Sequence, residues 1–178
     1  HHYDTGDYHK VDPILGTNEE LKQLCADAKK MGIRIMLDGV FSHTGDDSRY
    51  FNKYGNYDTL GAYQSKESPY YDWYCFNNYP NGYESWWGFS TLPNVKEENP
   101  SYMKFIIENE DSVLKYWMKQ GICGWRLDVV DELPEKFTQT FYKVLKEVDK
   151  DAVMLGEVWE DASNKSAYGV SREYLCGQ

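Results

Sequence analysis

Three short apolar runs, each ending on an acidic residue, constrain the fold of this 178-residue chain more than any other feature. They occupy residues 33–38, 122–128 and 152–157, and each has the length of a β-strand rather than of a helix. A segment with helical periodicity precedes each run. Helices that alternate with strands form parallel βα units, whose strands are apolar because both faces of the sheet are covered. The sequence therefore predicts an α/β fold with acids at one edge of a parallel sheet.

The helices between these runs are marked by their ends. Residues 17–32 begin with Thr, Asn and two Glu and end with two Lys, Met and Gly, the charge order that a helix dipole favours. Pro100 opens a second segment, which Gly121 ends, and Pro134 opens a third. Both segments carry aromatic and aliphatic residues along one face. We therefore predict one helix between Pro100 and Gly121 and another after Pro134.

A long stretch without periodicity, residues 42–99, interrupts this alternation and is rich in Tyr, Trp, Asn and Gly. So long an irregular segment within a compact domain is typical of an inserted functional module or a lid. Its aromatic rings can fill a core, but their faces can also stack on sugars, and both roles stay open. We predict an inserted subdomain at 44–99 between βα segments at 1–43 and 100–178.

The charge of the chain argues against nucleic acid as a partner, because a net charge of -10 leaves little to neutralise phosphates. No apolar run is long enough to cross a bilayer, and no signal peptide opens the chain, so we expect no membrane partner. The four cysteines lack metal-binding spacing. We expect reduced thiols in a cytoplasmic protein, with secretion left open. The His1-His2 pair can be native or the remnant of a tag.

The acids that end the second and third runs are suited to cleaving a glycosidic bond. Asp128 and Glu157 should follow adjacent parallel strands, which lie about 4.8 Å apart, and retaining glycosidases place two carboxyl groups about 5–5.5 Å apart. Arg126 should project to the same side as Asp128, and its charge predicts a low pKa for that carboxyl, as a nucleophile requires. The ring of Trp159 predicts a raised pKa for Glu157, as a general acid requires.

Three short motifs at these strand ends resemble conserved segments of the α-amylase superfamily, glycoside hydrolase family thirteen. Residues 38–43 (DGVFSH) are similar to the first segment, 124–128 (GWRLD) to the second and 156–159 (GEVW) to the third, in the family's order. Residues 6–13 and 83–94 are most similar to the neopullulanase and cyclomaltodextrinase branch. The resemblance spans the whole chain. It implies a partial (β/α)8 TIM barrel, about strands 3 to 5 with their helices, plus the inserted subdomain.

The resemblance implies a retaining glycoside hydrolase that acts on α-glucosidic bonds of maltodextrins, pullulan or cyclodextrins. Asp128 would be the nucleophile that forms the glycosyl-enzyme intermediate, and Glu157 the general acid/base. Arg126 would hold Asp128 in place. The partner would be an oligosaccharide or α-glucan.

Further residues would bind the substrate by the same resemblance. His43 would hydrogen-bond the glucose in the cleaved subsite, Tyr8 would stack beneath that ring, and Asp38 would support the base of the site. The remaining candidates for sugar contact are four aromatic residues: Tyr83, Trp86, Trp87 and Trp159.

The sequence departs from the family pattern at several points. Ser42 stands where calcium-dependent members carry an Asn ligand, so we expect no metal and no cofactor, with calcium doubtful. Lys96 stands where the family-typing segment usually ends in Asn. The fourth segment, which supplies a third catalytic carboxylate, is not found before Gln178. We therefore expect a fragment of the catalytic barrel that is inactive alone and self-associates through open sheet edges.

Two classes of function stay open at this point. One is an α-glucan glycosidase, and the other is a catalytically inactive family member that binds carbohydrate or serves as a scaffold. The presence of both Asp128 and Glu157 favours the enzyme. Among enzymes, a plain α-amylase and a transglycosylase are alternatives, because no motif indicates the linkage, the preferred chain length or the acceptor.

Overall fold

The computed structural model describes residues 2–159, 166–167 and 170–171 of the chain. The chain divides into two compact units. The sheet unit comprises residues 18–39 and 105–178, and the aromatic unit comprises residues 1–17 and 40–104.

Three parallel strands form the centre of the sheet unit. They are β1 (Leu37–Gly39), β4 (Gly124–Leu127) and β5 (Val153–Gly156), in the spatial order β1–β4–β5. The last residues of the three strands are partners in a single row, so the strands end at the same level. β1 is shorter than the apolar run predicts. Ile33 lies outside it and is exposed, so the beginning of that run does not join the sheet.

The helices of the sheet unit are α1 (Asn18–Lys30), α3 (Val113–Gln120) and α4 (Glu135–Val148). α4 buries its apolar face, and its Phe141 ring meets Trp125 of β4 edge to face at 6.0 Å. Such contacts between a helix stripe and a strand are what the apolar periodicity predicts.

The single helix predicted between Pro100 and Gly121 is wrong. The segment contains α2 (Pro100–Met103), a π-helix (Lys104–Glu108) and, after a break, α3. Ser112 explains the break, because its hydroxyl donates to Ile107 O at 3.0 Å and also accepts the Lys115 N–H. Local bonds of this kind compete with helical bonds and favour a new helix start.

The aromatic unit has little regular structure, and rings fill its core. Its strands β2 (Phe76–Asn78) and β3 (Gly82–Tyr83) form an antiparallel pair. Phe51 is fully buried and meets Tyr74 and Tyr83 edge to face at 4.9 and 4.8 Å. The buried Asn52 amide donates to two backbone carbonyls, at 2.9 and 2.8 Å. Side-chain bonds thus satisfy the backbone where no helix or sheet does.

The N-terminal loop belongs to the aromatic unit, whereas we predicted it together with the first helix and strand. Gly45 N–H donates to Thr5 O at 3.1 Å, and Arg49 N–H donates to Gly6 O at 3.0 Å. The Arg49 guanidinium also pairs with Asp7 at 2.9 Å. These bonds explain why the loop clusters with the insertion.

Some remaining features complete the described part of the chain. The short strands β6 (Ser166–Ala167) and β7 (Val170–Ser171) pair antiparallel. Cys25, Cys75 and Cys123 are free thiols, and Cys176 lies outside the described residues. No helix of the described residues is long and apolar enough to cross a membrane.

Candidate active site

The backbone holds the two candidate catalytic acids at one edge of the sheet. Asp128 directly follows β4, and its N–H donates to Gly39 O of β1 at 3.1 Å. Glu157 directly follows β5, and its N–H donates to Leu127 O of β4 at 3.0 Å. Each bond continues the parallel ladder by one step, so the two acids emerge side by side at the carboxyl edge, where parallel α/β proteins bind ligands.

One guanidinium joins three carboxylates at this edge. Arg126 Nη1 lies 2.8 Å and 2.7 Å from the two oxygens of Asp38, and 2.8 Å from Asp128 Oδ1. Its Nη2 lies 2.8 Å from Glu157 Oε1. The side chain is 22% exposed, and burial alone would lower the pKa of Arg126, but the bonds to its acidic partners raise it above the ordinary value. The arginine is therefore always charged and fixes the positions of all three acids.

Asp128 is the more buried of the two acids, with a side chain that is 10% exposed. Burial raises its pKa to about 6, although the hydrogen bond and the charge of Arg126 act in the opposite direction. The negative charges of Asp38 and Glu157 add to the effect of burial. The low pKa that we predicted for Asp128 is wrong, because the loss of water outweighs a single arginine that two other carboxylates share.

Glu157 has the opposite shift. Burial acts to raise its pKa, but the hydrogen bonds from the Val129 backbone and the Trp159 side chain, and then the charge of Arg126, bring it below the ordinary value. The raised pKa that we predicted is wrong, because Trp159 donates a hydrogen bond instead of forming an apolar wall. Its side chain lies at an exposed position. Asp128 also hydrogen-bonds Glu157.

Sequence reasoning missed Val129, which follows Asp128. Its φ of 40° and ψ of 57° place a β-branched residue in the left-handed region, and its N–H donates to Glu157 Oε2 at 3.1 Å. Neither composition nor periodicity marks this residue, since a valine usually indicates extended backbone.

His43 and Tyr8, two candidates for sugar binding, lie in the aromatic unit and are buried there. The ring nitrogens of His43 lie 2.9 Å from Ser42 Oγ and 2.9 Å from Tyr3 O. The Tyr8 hydroxyl donates to Val40 O at 2.8 Å. Both side chains therefore have fixed orientations, and their contact with sugar stays a prediction.

The two candidate tryptophans of the aromatic unit form a connected set of rings with His43. The Trp86 ring lies 5.5 Å from His43 and 5.7 Å from Trp87, and it stacks on Phe89 at 6.4 Å. Trp87 is 60% exposed, and its φ of 50° is in the left-handed region. Phe89 is also exposed and was not among our candidates.

The predicted site residues thus fall into two sets. Hydrogen bonds and ion pairs join the set in the sheet unit: Asp38, Arg126, Asp128, Glu157 and Trp159. The set in the aromatic unit comprises Tyr8, His43, Tyr83, Trp86 and Trp87. Within the described ranges, no group of three or more His, Cys, Asp or Glu residues is arranged to hold a metal ion.

The sequence matches a known family along nearly the whole chain. The α-amylase catalytic domain matches residues 1–174. The chain belongs to the α-amylase family.

Two α-amylase-family proteins with similar sequences carry names linked to pullulan. The amylopullulanase of Thermoanaerobacterium thermosulfurigenes is 45% identical over 181 residues, which cover 92% of this chain and 10% of that protein. Neopullulanase 2 of Thermoactinomyces vulgaris is 35% identical over 92% of this chain and 27% of its own length. The chain therefore spans about a tenth to a quarter of these relatives.

A solved α-amylase-family structure is similar as well. The debranching enzyme of Nostoc punctiforme superimposes with a TM-score of 0.79 at 32% identity, over 97% of this chain and 35% of that one. The three parallel strands and their helices are part of a (β/α)8 barrel, as predicted.

Proposed function

We propose that the protein carrying this chain is a retaining glycoside hydrolase for α-glucosidic bonds in maltodextrins, pullulan or cyclodextrins. The observation that carries the proposal is the placement of Asp128 and Glu157 one residue beyond paired positions on adjacent parallel strands, both bonded to Arg126. The names of the similar proteins, which include amylopullulanase and neopullulanase, support this substrate class.

The first step cleaves the glycosidic bond. The Asp128 carboxylate attacks the anomeric carbon, and the bond to the leaving oxygen breaks with its electron pair going to that oxygen. Glu157 donates its proton to the same oxygen, which leaves as a neutral hydroxyl group. The product is a glycosyl ester on Asp128, with the configuration inverted once.

The second step restores the protein. Glu157, now ionised, takes a proton from water, and the water oxygen attacks the anomeric carbon. The ester bond to Asp128 breaks, and its electrons return to the carboxylate beside Arg126. The second inversion gives net retention, and the chemistry uses carboxyl groups without a cofactor.

The protonation state of the free protein differs from the one that this reaction needs. Around neutral pH Glu157 is ionised, and Asp128 titrates near pH 6. Because the Glu157 side chain is 30% exposed, a sugar that covers it will remove water and raise its pKa. We infer that substrate binding places the proton on Glu157 and leaves Asp128 ionised against Arg126.

Each unit carries its own candidate residues for binding sugar. In the aromatic unit, the exposed Trp87 ring offers a flat face to the CH groups of a glucose residue, and His43 and Tyr8 are the further candidates. In the sheet unit, Asp38 supports the site indirectly by holding Arg126.

The proposal is tested with the complete gene product on pullulan, maltotriose and β-cyclodextrin. Proton NMR follows the anomeric configuration of the first product. We expect hydrolysis of at least one substrate with the α-anomer released first. Release of the β-anomer first would contradict the retaining mechanism, and saturable binding without any product would favour the binding or scaffolding role.

A further inference from the structure

The turn that follows Asp128 adopts a backbone conformation that its sequence does not favour. Val129 is in the left-handed region, where its branched Cβ crowds the backbone, and its side chain is 1% exposed. Strained residues of this kind persist only where the surrounding structure holds them, and they are concentrated at functional sites. We therefore expect the backbone of Val129 to have a function in the site.

The strained conformation directs two successive N–H groups of this turn at Glu157. Val129 N–H donates to the side-chain oxygen Oε2 at 3.1 Å, and Val130 N–H donates to the main-chain oxygen at 3.0 Å. Val130 also packs over Gly156, where an added Cβ would lie only 2.5 Å from Val130 Cγ1. The segment after Asp128 thus packs against Gly156 and donates hydrogen bonds to both the side chain and the main chain of Glu157.

The two oxygens of the Glu157 carboxylate therefore have different partners. Oε1 pairs with Arg126 Nη2, and Oε2 accepts from Val129. The other charged groups facing Glu157 in the described sheet unit are Asp128, which hydrogen-bonds it, and Asp38, which shares Arg126. A backbone N–H can donate but cannot accept, and an ionised Oε2 is a stronger acceptor than a protonated one, so this bond favours the ionised carboxylate.

We propose that Val129 is a positioning residue whose N–H holds Glu157 Oε2 in the resting site and opposes protonation of that oxygen until substrate binds. The inference rests on the proposed function, because it assigns Glu157 as the general acid. It couples the two strand ends through the backbone, in addition to their shared arginine.

The sharpest test removes this one donor and leaves the side chain intact. Incorporation of α-hydroxyvaline at position 129 of the complete gene product replaces the N–H with an ester oxygen. The matched control places α-hydroxyvaline at position 130, which removes only the bond to the Glu157 main-chain oxygen. The first readout is the pH profile of kcat/KM, whose acid limb reports Glu157, because the pKa of Glu157 lies below the pKa of Asp128 in the free protein. The second is the carboxyl ¹³C shift of Glu157, assigned with Glu157→Gln.

We expect the ester at position 129 to move the acid limb and the ¹³C titration of Glu157 upward by about one pH unit, because a donor to the ionised form is lost. The ester at position 130 should leave both unchanged. Unshifted values in a folded, active 129 ester would overturn the inference. Equal shifts in both esters would also overturn it, since they would reflect general loosening of the turn.

A second variant keeps the proposal testable if the 129 ester fails to fold. Gly156→Ala adds a methyl group against Val130 Cγ1 and displaces the turn from Glu157, so the same upward shift is expected. A ¹³C titration unchanged from the wild type in folded Gly156→Ala would contradict the proposal. If the wild type hydrolyses none of the substrates but the ¹³C titration shifts as described, the positioning role stands and the glycosidase proposal fails.

Discussion

A carboxyl group follows each of the strands β4 and β5 at the same level of the sheet, yet the pKa values of these two groups are shifted in opposite directions. At the end of β4, burial dominates, and the pKa of Asp128 rises to about 6. At the end of β5, the pKa of Glu157 is lowered, because donors from Val129 and Trp159 and the charge of Arg126 outweigh burial. The comparison shows that burial and the supply of hydrogen-bond donors at each strand end, more than the shared arginine, decide which acid is ionised first.

The largest expected effect separates the two strand ends by chemical role. Asp128→Asn should lower kcat on maltotriose by at least about 10⁴-fold, because no nucleophile remains. Glu157→Gln should also be impaired on maltotriose, since the leaving oxygen is no longer protonated, a contribution of about 10²–10⁴-fold. Steady-state kinetics of the complete gene product measures both.

An activated substrate sharpens this comparison. Fluoride leaves without a proton, so Glu157→Gln should form the glycosyl-enzyme from α-maltosyl fluoride at a rate close to that of the wild type. Asp128→Asn should remain inactive on it. Equal losses in both variants on the fluoride would contradict the assignment of different roles to the two acids.

An effect of intermediate size is expected on the pH dependence of folding stability, and it has opposite sign for substitutions of Asp128 and Glu157. The folded pKa of Asp128 exceeds its ordinary value of 3.8, so its contribution to stability is present below about pH 4 and is lost as the pH rises through 6. Asp128→Asn should therefore gain stability relative to the wild type between about pH 4 and pH 7, by at most about 3 kcal/mol.

Glu157→Gln should behave in the opposite way. The folded pKa of Glu157 lies below its ordinary value of 4.5, so its contribution is present above that pH and is lost as the pH falls. Urea denaturation of both variants at the two pH values provides the measurement. If the stability of both variants relative to the wild type changed in the same direction with pH, the opposite pKa shifts of Asp128 and Glu157 would be wrong.

The smallest effect concerns the exposed ring of the aromatic unit. Trp87→Ala should change the free energy of unfolding by less than about 0.5 kcal/mol, because the side chain is largely exposed. It should raise KM for pullulan about 5- to 10-fold, which corresponds to the loss of one stacking contact. Leu15→Ala, another exposed apolar position of the same unit, is the control and should leave KM unchanged. Unchanged KM with lowered thermal stability in Trp87→Ala would favour a packing role.

The regular part of the fold followed from the sequence, because burial on both faces makes parallel strands visible as apolar runs. The runs that became β4 and β5, and the helix α4, were predicted on this basis. The break before α3 was not, since it depends on two bonds of the Ser112 hydroxyl that periodicity does not report. In the aromatic unit, bonds such as those of the Asn52 amide replace periodic ones, so its path was unpredictable.

The candidate site shows a similar division. The sequence predicts where the strands end. It therefore predicts that Asp128 and Glu157 lie side by side at one edge of the sheet and that Arg126 contacts Asp128. Their acidities depend on burial and on the N–H of Val129, and these arise only after folding. Arg126 was expected to serve Asp128, but it also holds Asp38 and Glu157, so its effect on any one acid is diluted.

Trapping of the glycosyl-enzyme tests the central claim most directly. The complete gene product is incubated with a 5-fluoro-α-maltosyl fluoride, which slows release of the intermediate, and is then digested and analysed by mass spectrometry. We predict a maltosyl adduct on the peptide that contains Asp128, absent from Asp128→Asn. An adduct on Glu157, or steady turnover without any adduct, would contradict Asp128 as the nucleophile.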